Sequence, residues 1–411
     1  MTVDGAVRRI GGDERRARLG VRHLLAPGLR AKSAEEVTRS LVALHATDAA
    51  TVYLSTAARL TEPGFTEVER ALYEAGSLVR LLAMRRTMFV VTLDSAPVVY
   101  AAAARAIAVK ERAGLLKYLA EGGGWDGAWL SEVEEAVVAA LAVHGESTAA
   151  QLGGYEPRLR EQVVRAAGKP YETRQNVASR IIRVLAAEGR ITRRRPVGSW
   201  TSSQFRWAAA EPLSEPPAAE AKAALARDWL AAYGPGTEAD LKWWTGWTLT
   251  DVRKALTAVG AQPVALDEGT GYVLPGDVEP APAAGPWAAL LPGLDPTPMG
   301  WQQRDWFLPD EHRPALFDKT GNVGPTVWWD GRVVGGWAQR PDGEIVWRLL
   351  PGPEKGSGKS SGTGSGKSSG KGPGKEAVAA IAAEAARLGD WLGDVRVTPR
   401  FRTPLERELS A

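Results

Sequence analysis

One pattern recurs along the chain: a glycine, a short helix opened by threonine, a turn, and a second helix. It runs over residues 145–188, where Thr148 opens the short helix, and again over 234–259, where Thr237 does. A β segment follows each copy. Residues 191–207 read as strand, turn, strand, and a strand is expected near Tyr272. The N-terminal part has the same order in a looser form. Ser33 as N-cap and Glu36 at N3 make a capping box. Val37, Leu41 and Leu44 then mark one buried helix face at i, i+4, i+7. Helices over 50–60 and 67–75 follow, Gly76 ends the second, and 78–93 reads as two strands around Arg85, Arg86 and Thr87. Helix, helix, helix, hairpin is the order of a winged helix. Three such units account for the recurrence better than one large bundle.

The fold class expected is therefore α+β, mainly α: tandem winged-helix units followed by a C-terminal β-rich region. The boundaries are 13–145 for the first unit, 146–210 for the second and 220–280 for the third. Further helices are expected over 129–143, 174–188, 220–233 and 250–259. Val177, Ile181 and Leu185 lie on one face of the second, which Gly189 ends. The Pro- and Ala-rich residues 211–219 are a linker. Residues 285–350 are mainly β, because Asp330-Gly331 and Asp342-Gly343 each sit between apolar runs, a hairpin signal. Residues 351–375 are Gly, Ser and Lys with little to bury, a flexible tether of roughly 25–30 Å; a weak nucleic-acid tail is the minority reading. A last helix is expected over 376–392, and 395–401 is expected to rejoin the sheet, so that 285–350 and 376–411 form one region.

Composition removes several classes. There is no cysteine, which excludes disulfides and thiolate metal sites and fits a reducing, cytoplasmic setting. The four histidines, His23, His45, His144 and His312, show no metal-ligand spacing, so no metal or other cofactor is expected. No run of apolar residues is long enough to cross a membrane. The basic start lacks the apolar core of a secretory signal.

Charge is modest in total and uneven along the chain. Residues 158–206 hold twelve Lys or Arg and three acids, an excess of nine in a chain whose net charge is +3. Arg193, Arg194 and Arg195 fall where the second unit places its wing; Arg174, Arg180 and Arg183 lie along the preceding helix. A basic helix followed by a basic hairpin is the footprint of duplex binding. Such arginines neutralise phosphates and add affinity without choosing sequence. The bland reading is a solvated basic face. Trp200 and Trp207 in the same hairpin could wedge against bases, although tryptophan in a hairpin more often packs a core. Trp243, Trp244 and Trp247 have helical spacing and read as core.

Three stretches carry a family resemblance. LVALHATDAATVYLSTAARL (41–60), VRLLAMRRTMFVV (79–91), and TEADLKWWTGWTLTDVRKAL (237–256) with GNVGPTVWWDGRVVGGW (321–337) resemble the AlkZ/YcaQ-type DNA glycosylases. The similarity extends over about 13–350 and again after 376. It implies tandem winged helices, a C-terminal β region and repair of alkylated DNA, including interstrand crosslinks. Where that family usually has Gln-apolar-Gln or Gln-apolar-Asp, this chain has His45-Ala46-Thr47, followed by Asp48. Arg86 stands where the family has Gly, and Phe89 where it has His. The resemblance puts His45, Thr47 and Asp48 in the catalytic role, and Arg85 and Arg86 beside the DNA with the basic helix, the wing and Trp200.

An N7-alkylated purine is already a cationic leaving group. Its removal needs a water placed at C1′ and stabilisation of an oxocarbenium-like sugar. A neutral imidazole can accept the proton of that water. Thr47 could hold the same water, and Asp48 could orient the ring or face the sugar cation. His45 and Asp48 share a side if the helix continues; His45 and Thr47 do so if the chain turns extended. The simpler reading is that His45 caps one helix end while Asp48 or Thr47 caps the next. The segment has no lysine, so a Schiff-base lyase lacks its nucleophile and a monofunctional hydrolase is expected. Two other classes compete: a non-catalytic winged-helix DNA-binding protein with a decayed glycosylase site, and a transcription regulator, which predicts a dimer on a palindromic site. Three winged helices in one chain already form an extended surface, so a monomer on double-stranded DNA is expected.

Overall fold

The structure is a computed structural model that describes residues 7–165, 168–169, 172–281, 285–352, 373–399 and 401–411. Most of the expected Gly/Ser/Lys tether lies outside these residues. The chain forms two compact units, one of residues 1–68, 226–244 and 248–411, the other of 69–225 and 245–247. The first region drawn from the sequence is thus shared between both units.

The second unit starts from a hairpin. Leu78–Ala83 pairs antiparallel with Thr87–Thr92 in unbroken register, Leu78 opposite Thr92 and Ala83 opposite Thr87. Arg85 and Arg86 turn the chain at φ 54° and 60°. The helix expected over 67–75 forms as Phe65–Glu69 and Arg70–Glu74, closed by Gly76 at φ 65°. A long helical stretch then runs from Ala96 through Arg105–Gly123. The sequence reads as helical there but marks no separate bounds, because its alanines spread apolar residues around the helix instead of along a stripe. Gly127–His144 is N-capped by Asp126, and Ala149–Tyr155 opens with the Thr148/Gln151 capping box.

The helix expected over 174–188 is shorter, Ala178–Ala187. Arg174 lies on the strand Thr173–Asn176, which pairs with Gln162–Arg165. Asn176 explains the boundary: its side-chain oxygen accepts from the Ala178 amide at 2.7 Å and stops the helix from reaching further back. The strand, turn, strand expected over 191–207 forms as a basic hairpin, with Ile191–Pro196 antiparallel to Phe205–Ala209. Leu119, Val133, Val137, Leu152, Ile181 and Leu185 meet in the core between these elements.

The first unit joins distant parts of the chain. Gly12–Arg22, Ala34–Ser40 and Ala49–Ala57 are its N-terminal helices. Leu249–Ala258 leads into the hairpin Gln262–Leu266 and Gly269–Val273, where the strand near Tyr272 was expected. A four-stranded antiparallel sheet follows, in the order Ala288–Leu291, Thr326–Trp329, Arg332–Gln339, Ile345–Leu349. Both Asp-Gly pairs make its turns, with Gly331 at φ 77° and Gly343 at φ 103°. Residues 395–399 do not rejoin the sheet as a strand. They lean on it through one side chain: Gln339 donates to the Val395 carbonyl and accepts from the Val397 amide. A further helix, Pro404–Leu409, ends the chain after Lys375–Leu392.

A fully buried polar knot ties these pieces together. Arg59 makes a two-pronged pair with Asp295 at 2.7 and 2.9 Å, and donates to the His23 and Ser55 carbonyls and to the Thr297 hydroxyl. The His23 ring has Nε2 on the Ala232 carbonyl and Nδ1 on the Thr297 hydroxyl. A carbonyl can only accept, so Nε2 carries a proton. Burial, with Arg59 beside it, lowers the His23 pKa to about 3. Burial alone would raise Asp295; Arg59 and the Thr297 amide outweigh it and hold the carboxylate below its ordinary range.

Candidate active site and nucleic-acid interface

Helix Ala34–Ser40 ends before the histidine. The Leu41 amide closes its last turn, and Val42 then takes φ 64°. A β-branched residue in the left-handed region is strained by about 1–3 kcal/mol, and such strain gathers at functional sites. This kink throws Leu44–His45 into extended backbone. No helical turn therefore joins His45 to Asp48. The extended reading applies: the Thr47 amide faces His45 Nδ1 at 3.5 Å, beyond the ordinary hydrogen-bond range. His45 is only 6% exposed. Asp48 caps helix Ala49–Ala57, accepting from the Ala50 amide at 3.1 Å. The helix N-terminus and its partial positive charge sit beside the carboxylate.

The arginines lie in the other unit, and the structure divides them. Arg86 is exposed and paired with Glu111. Arg180 and Arg183 act on the same carboxylate, which together with the Arg86 hydrogen bond lies below its ordinary range; the Arg86 bond is the largest cause. Arg180 also stacks over Tyr118 at 3.9 Å. Three cations thus gather around one acid. The arginines of the basic hairpin are engaged instead. Arg194 holds Glu146 and the Tyr73 carbonyl, Arg195 holds Glu69 and Glu74, and Arg193 stacks over Phe205 and Trp207. Arg174 pairs with Glu172 on its hairpin. Arg85 is largely buried, which lowers it to about 10. Trp200 is 5% exposed, so in this conformation it packs in the core and does not stand ready to wedge a base.

A model of the family described as DNA glycosylase AlkZ-like matches residues 38–391. The chain belongs to the AlkZ-like DNA glycosylase family. A Streptomyces sahachiroi protein, an interstrand DNA cross-link repair glycosylase, is 33% identical over 144 residues, covering 33% of this chain and 38% of that protein. The match spans well under half of that relative. The solved structure of Streptomyces sahachiroi DNA glycosylase AlkZ is alike in fold, with a TM-score of 0.69 at 22% identity, over 93% of this chain and 97% of that one.

Within the AlkZ-like family the hairpin tip gains a physical reading. Arg86 stands where the resemblance puts glycine, and its φ of 60° is a conformation glycine adopts without strain. An L side chain there costs about 1–2 kcal/mol. Among the described residues, no three His, Asp or Glu gather as a metal site, and no helix is long and apolar enough to cross a membrane.

One group near the triplet was missed altogether. Glu406 is 4% exposed and lines a cavity that Asp48 also borders. Its carboxyl is pushed up to about 7, first by burial and then by the Asp48 charge, against the opposing Thr403 amide, Arg402 and Arg407. Thr403-Pro-Leu-Glu406 is a capping-box signature, so the sequence could have yielded the helix. Nothing in the sequence could have placed it beside Asp48.

Proposed function

We propose that the chain is a monofunctional DNA glycosylase that hydrolyses the N-glycosidic bond of bulky or crosslinked N7-alkylpurines in duplex DNA. The observation that carries the reading is the family match over 38–391, with His45 buried just before an Asp48-capped helix. The chain acts as a cytoplasmic monomer, its helix–helix–hairpin units serving as tandem winged helices and the cations around Glu111 meeting phosphates.

In this mechanism the C1′–N bond breaks, and its electron pair goes to the base, neutralising the N7-alkyl cation. A water oxygen bonds to C1′ and gives its proton to His45. The loose Thr47 contact engages Nδ1 only weakly, and catalytic hydrogen bonds tighten when substrate arrives. The Thr47 hydroxyl steadies the same water. The Asp48 carboxylate faces the positive charge that develops on the sugar. The product is an abasic site.

Incubation with a duplex carrying N7-alkylguanine, followed by alkali to cut abasic sites, tests the reading. His45→Ala should lower the single-turnover rate by about 10²–10⁴ while duplex affinity holds. His45→Gln restores the side chain the family usually carries and should retain part of the rate. Absence of excision by the wild type would leave the non-catalytic DNA-binding reading in its place.

A further inference from the structure

Helix Pro404–Leu409 brings a carboxyl, Glu406, to the cavity that Asp48 borders. Close packing fixes the seat of that helix. Leu405 and Leu409 are buried. A Cβ at Gly324 would stand 2.5 Å from Thr403, and one at Gly336 would stand 2.7 Å from Leu405. Two positions without side chains thus let the helix settle against the loop before strand Thr326–Trp329 and against strand Arg332–Gln339. The Thr403 amide donates to Glu406 Oε2 at 3.3 Å, so the capping box turns the Glu406 side chain back toward the helix N-terminus. Glu406 therefore reaches the cavity wall in a conformation held by its own helix.

Leu54, Leu294, Val323 and Val397 make the cavity mostly apolar, so a charge on its wall is felt more strongly than it would be in water. Asp48 faces Glu406 from the N-terminus of helix Ala49–Ala57, and Arg402 and Arg407 face it from its own segment. Asp318, also on the wall, is engaged by its own turn, accepting from Thr320 and Asn322. The cations of the other elements packed on this helix turn elsewhere: Arg313 to Asp305 and Asp310, Arg332 to Asp13, and Arg348 to Glu408. Asp48 is thus the acid whose charge bears on Glu406. The interaction is mutual: a charge on Glu406 deepens the negative potential at Asp48 as much as Asp48 does at Glu406.

We infer that Glu406 is a positioning residue of the glycosylase site: once ionised, it acts through Asp48, deepening the negative potential toward which positive charge develops on the sugar. This role rests on the glycosylase reading, in which Asp48 faces that charge. Glu406 exchanges its proton with solvent and takes no part in breaking the C1′–N bond. Burial keeps it neutral below about 7, and it ionises above that. Excision is therefore tuned by a carboxyl that touches neither base nor sugar. In protein surroundings a unit charge on the order of 10 Å from the developing cation changes a rate by about tenfold.

Single-turnover excision of N7-alkylguanine from a duplex, followed from pH 5.5 to pH 8.5 for the full chain and for Glu406→Gln, tests this. Glutamine keeps the shape and the capping acceptor. The His45 titration is common to both proteins, so the ratio of wild-type to variant rate reports Glu406. That ratio should rise about tenfold with increasing pH, with its midpoint near 7. Glu406→Asp should retain part of the rise. A ratio that does not change with pH would mean a purely structural role and would overturn the inference. A second readout needs no activity. With aspartate carbon-13-labelled at the side-chain carboxyl, the Asp48 resonance, assigned through Asp48→Asn, should shift as Glu406 titrates and should lose that step in Glu406→Gln. An Asp48 resonance that ignores Glu406 overturns the inference even where excision proceeds. A resonance that follows Glu406 in a protein showing no excision at any pH locates the failure in the glycosylase reading, and the positioning role falls with it.

Discussion

Glu406→Gln should change how stability depends on pH, and by a calculable amount. The folded protein moves this carboxyl from an ordinary 4.5 to about 7, mainly through burial. A raised pKa means that the folded state binds the proton more tightly than the unfolded chain does. Below about pH 4.5 the group is neutral in both states and burial costs little. Between there and about 7 the unfolded chain ionises first, so folding loses about 1.4 kcal/mol per pH unit from this group. Above 7 the loss is complete, at roughly 3 kcal/mol as an upper bound, since 2.5 units separate the two values. Little solvent screening reduces it, because the side chain is almost fully buried. Glutamine occupies the same volume, carries no charge, and can still accept from the Thr403 amide. Urea unfolding of wild type and variant at pH 5, 6, 7 and 8 isolates the effect, because titrating groups that do not interact with Glu406 cancel in the difference. The variant should gain on the wild type by a further 2–3 kcal/mol or so between pH 5 and pH 8. A difference that stays flat across that range would show that Glu406 is not a buried, ionising carboxyl.

Two more outcomes follow from the ion pairs. Asp295→Ala leaves Arg59 buried without its carboxylate and should cost about 3–5 kcal/mol in urea unfolding; a loss under 1 kcal/mol would mean that water reaches the guanidinium. Arg180→Ala with Arg183→Ala should lower the slope of log K against log salt for duplex binding by up to about 2, near 0.9 per phosphate contact. The triple replacement of Arg193, Arg194 and Arg195 should lower it by less than its three charges suggest, because Glu69, Glu74 and Glu146 already engage two of them; a full drop of about 3 would show that these pairs open on DNA.

Local signals in the sequence determined the elements that answer to local physics. Ser33, Thr148 and Asp48 cap helices because a side-chain oxygen reaches an amide two or three residues on, a matter of adjacent atoms. The Asp-Gly pairs turn the sheet for the same short-range reason. The helix of 96–123 was less legible, since its alanines carry no stripe, and the hairpin before Ala178 was hidden inside a helical periodicity that Asn176 interrupts. Placement of charge was not legible at all. Along the chain, residues 158–206 hold an excess of nine, yet in space Glu69, Glu74, Glu132, Glu134, Glu146 and Glu156 return to meet Arg195, Arg158, Arg190 and Arg194. Coulomb energy depends on distance in space, not on separation along the chain. The same holds at the other unit, where Glu406 stands 358 positions after Asp48 and shares a cavity with it. The sequence alone supplied His45, Thr47 and Asp48 as neighbours. Only the tertiary structure decided that the strained turn at Val42 makes the segment extended, and that a carboxyl from the far end of the chain faces it, because packing sets which distant groups lose their water together.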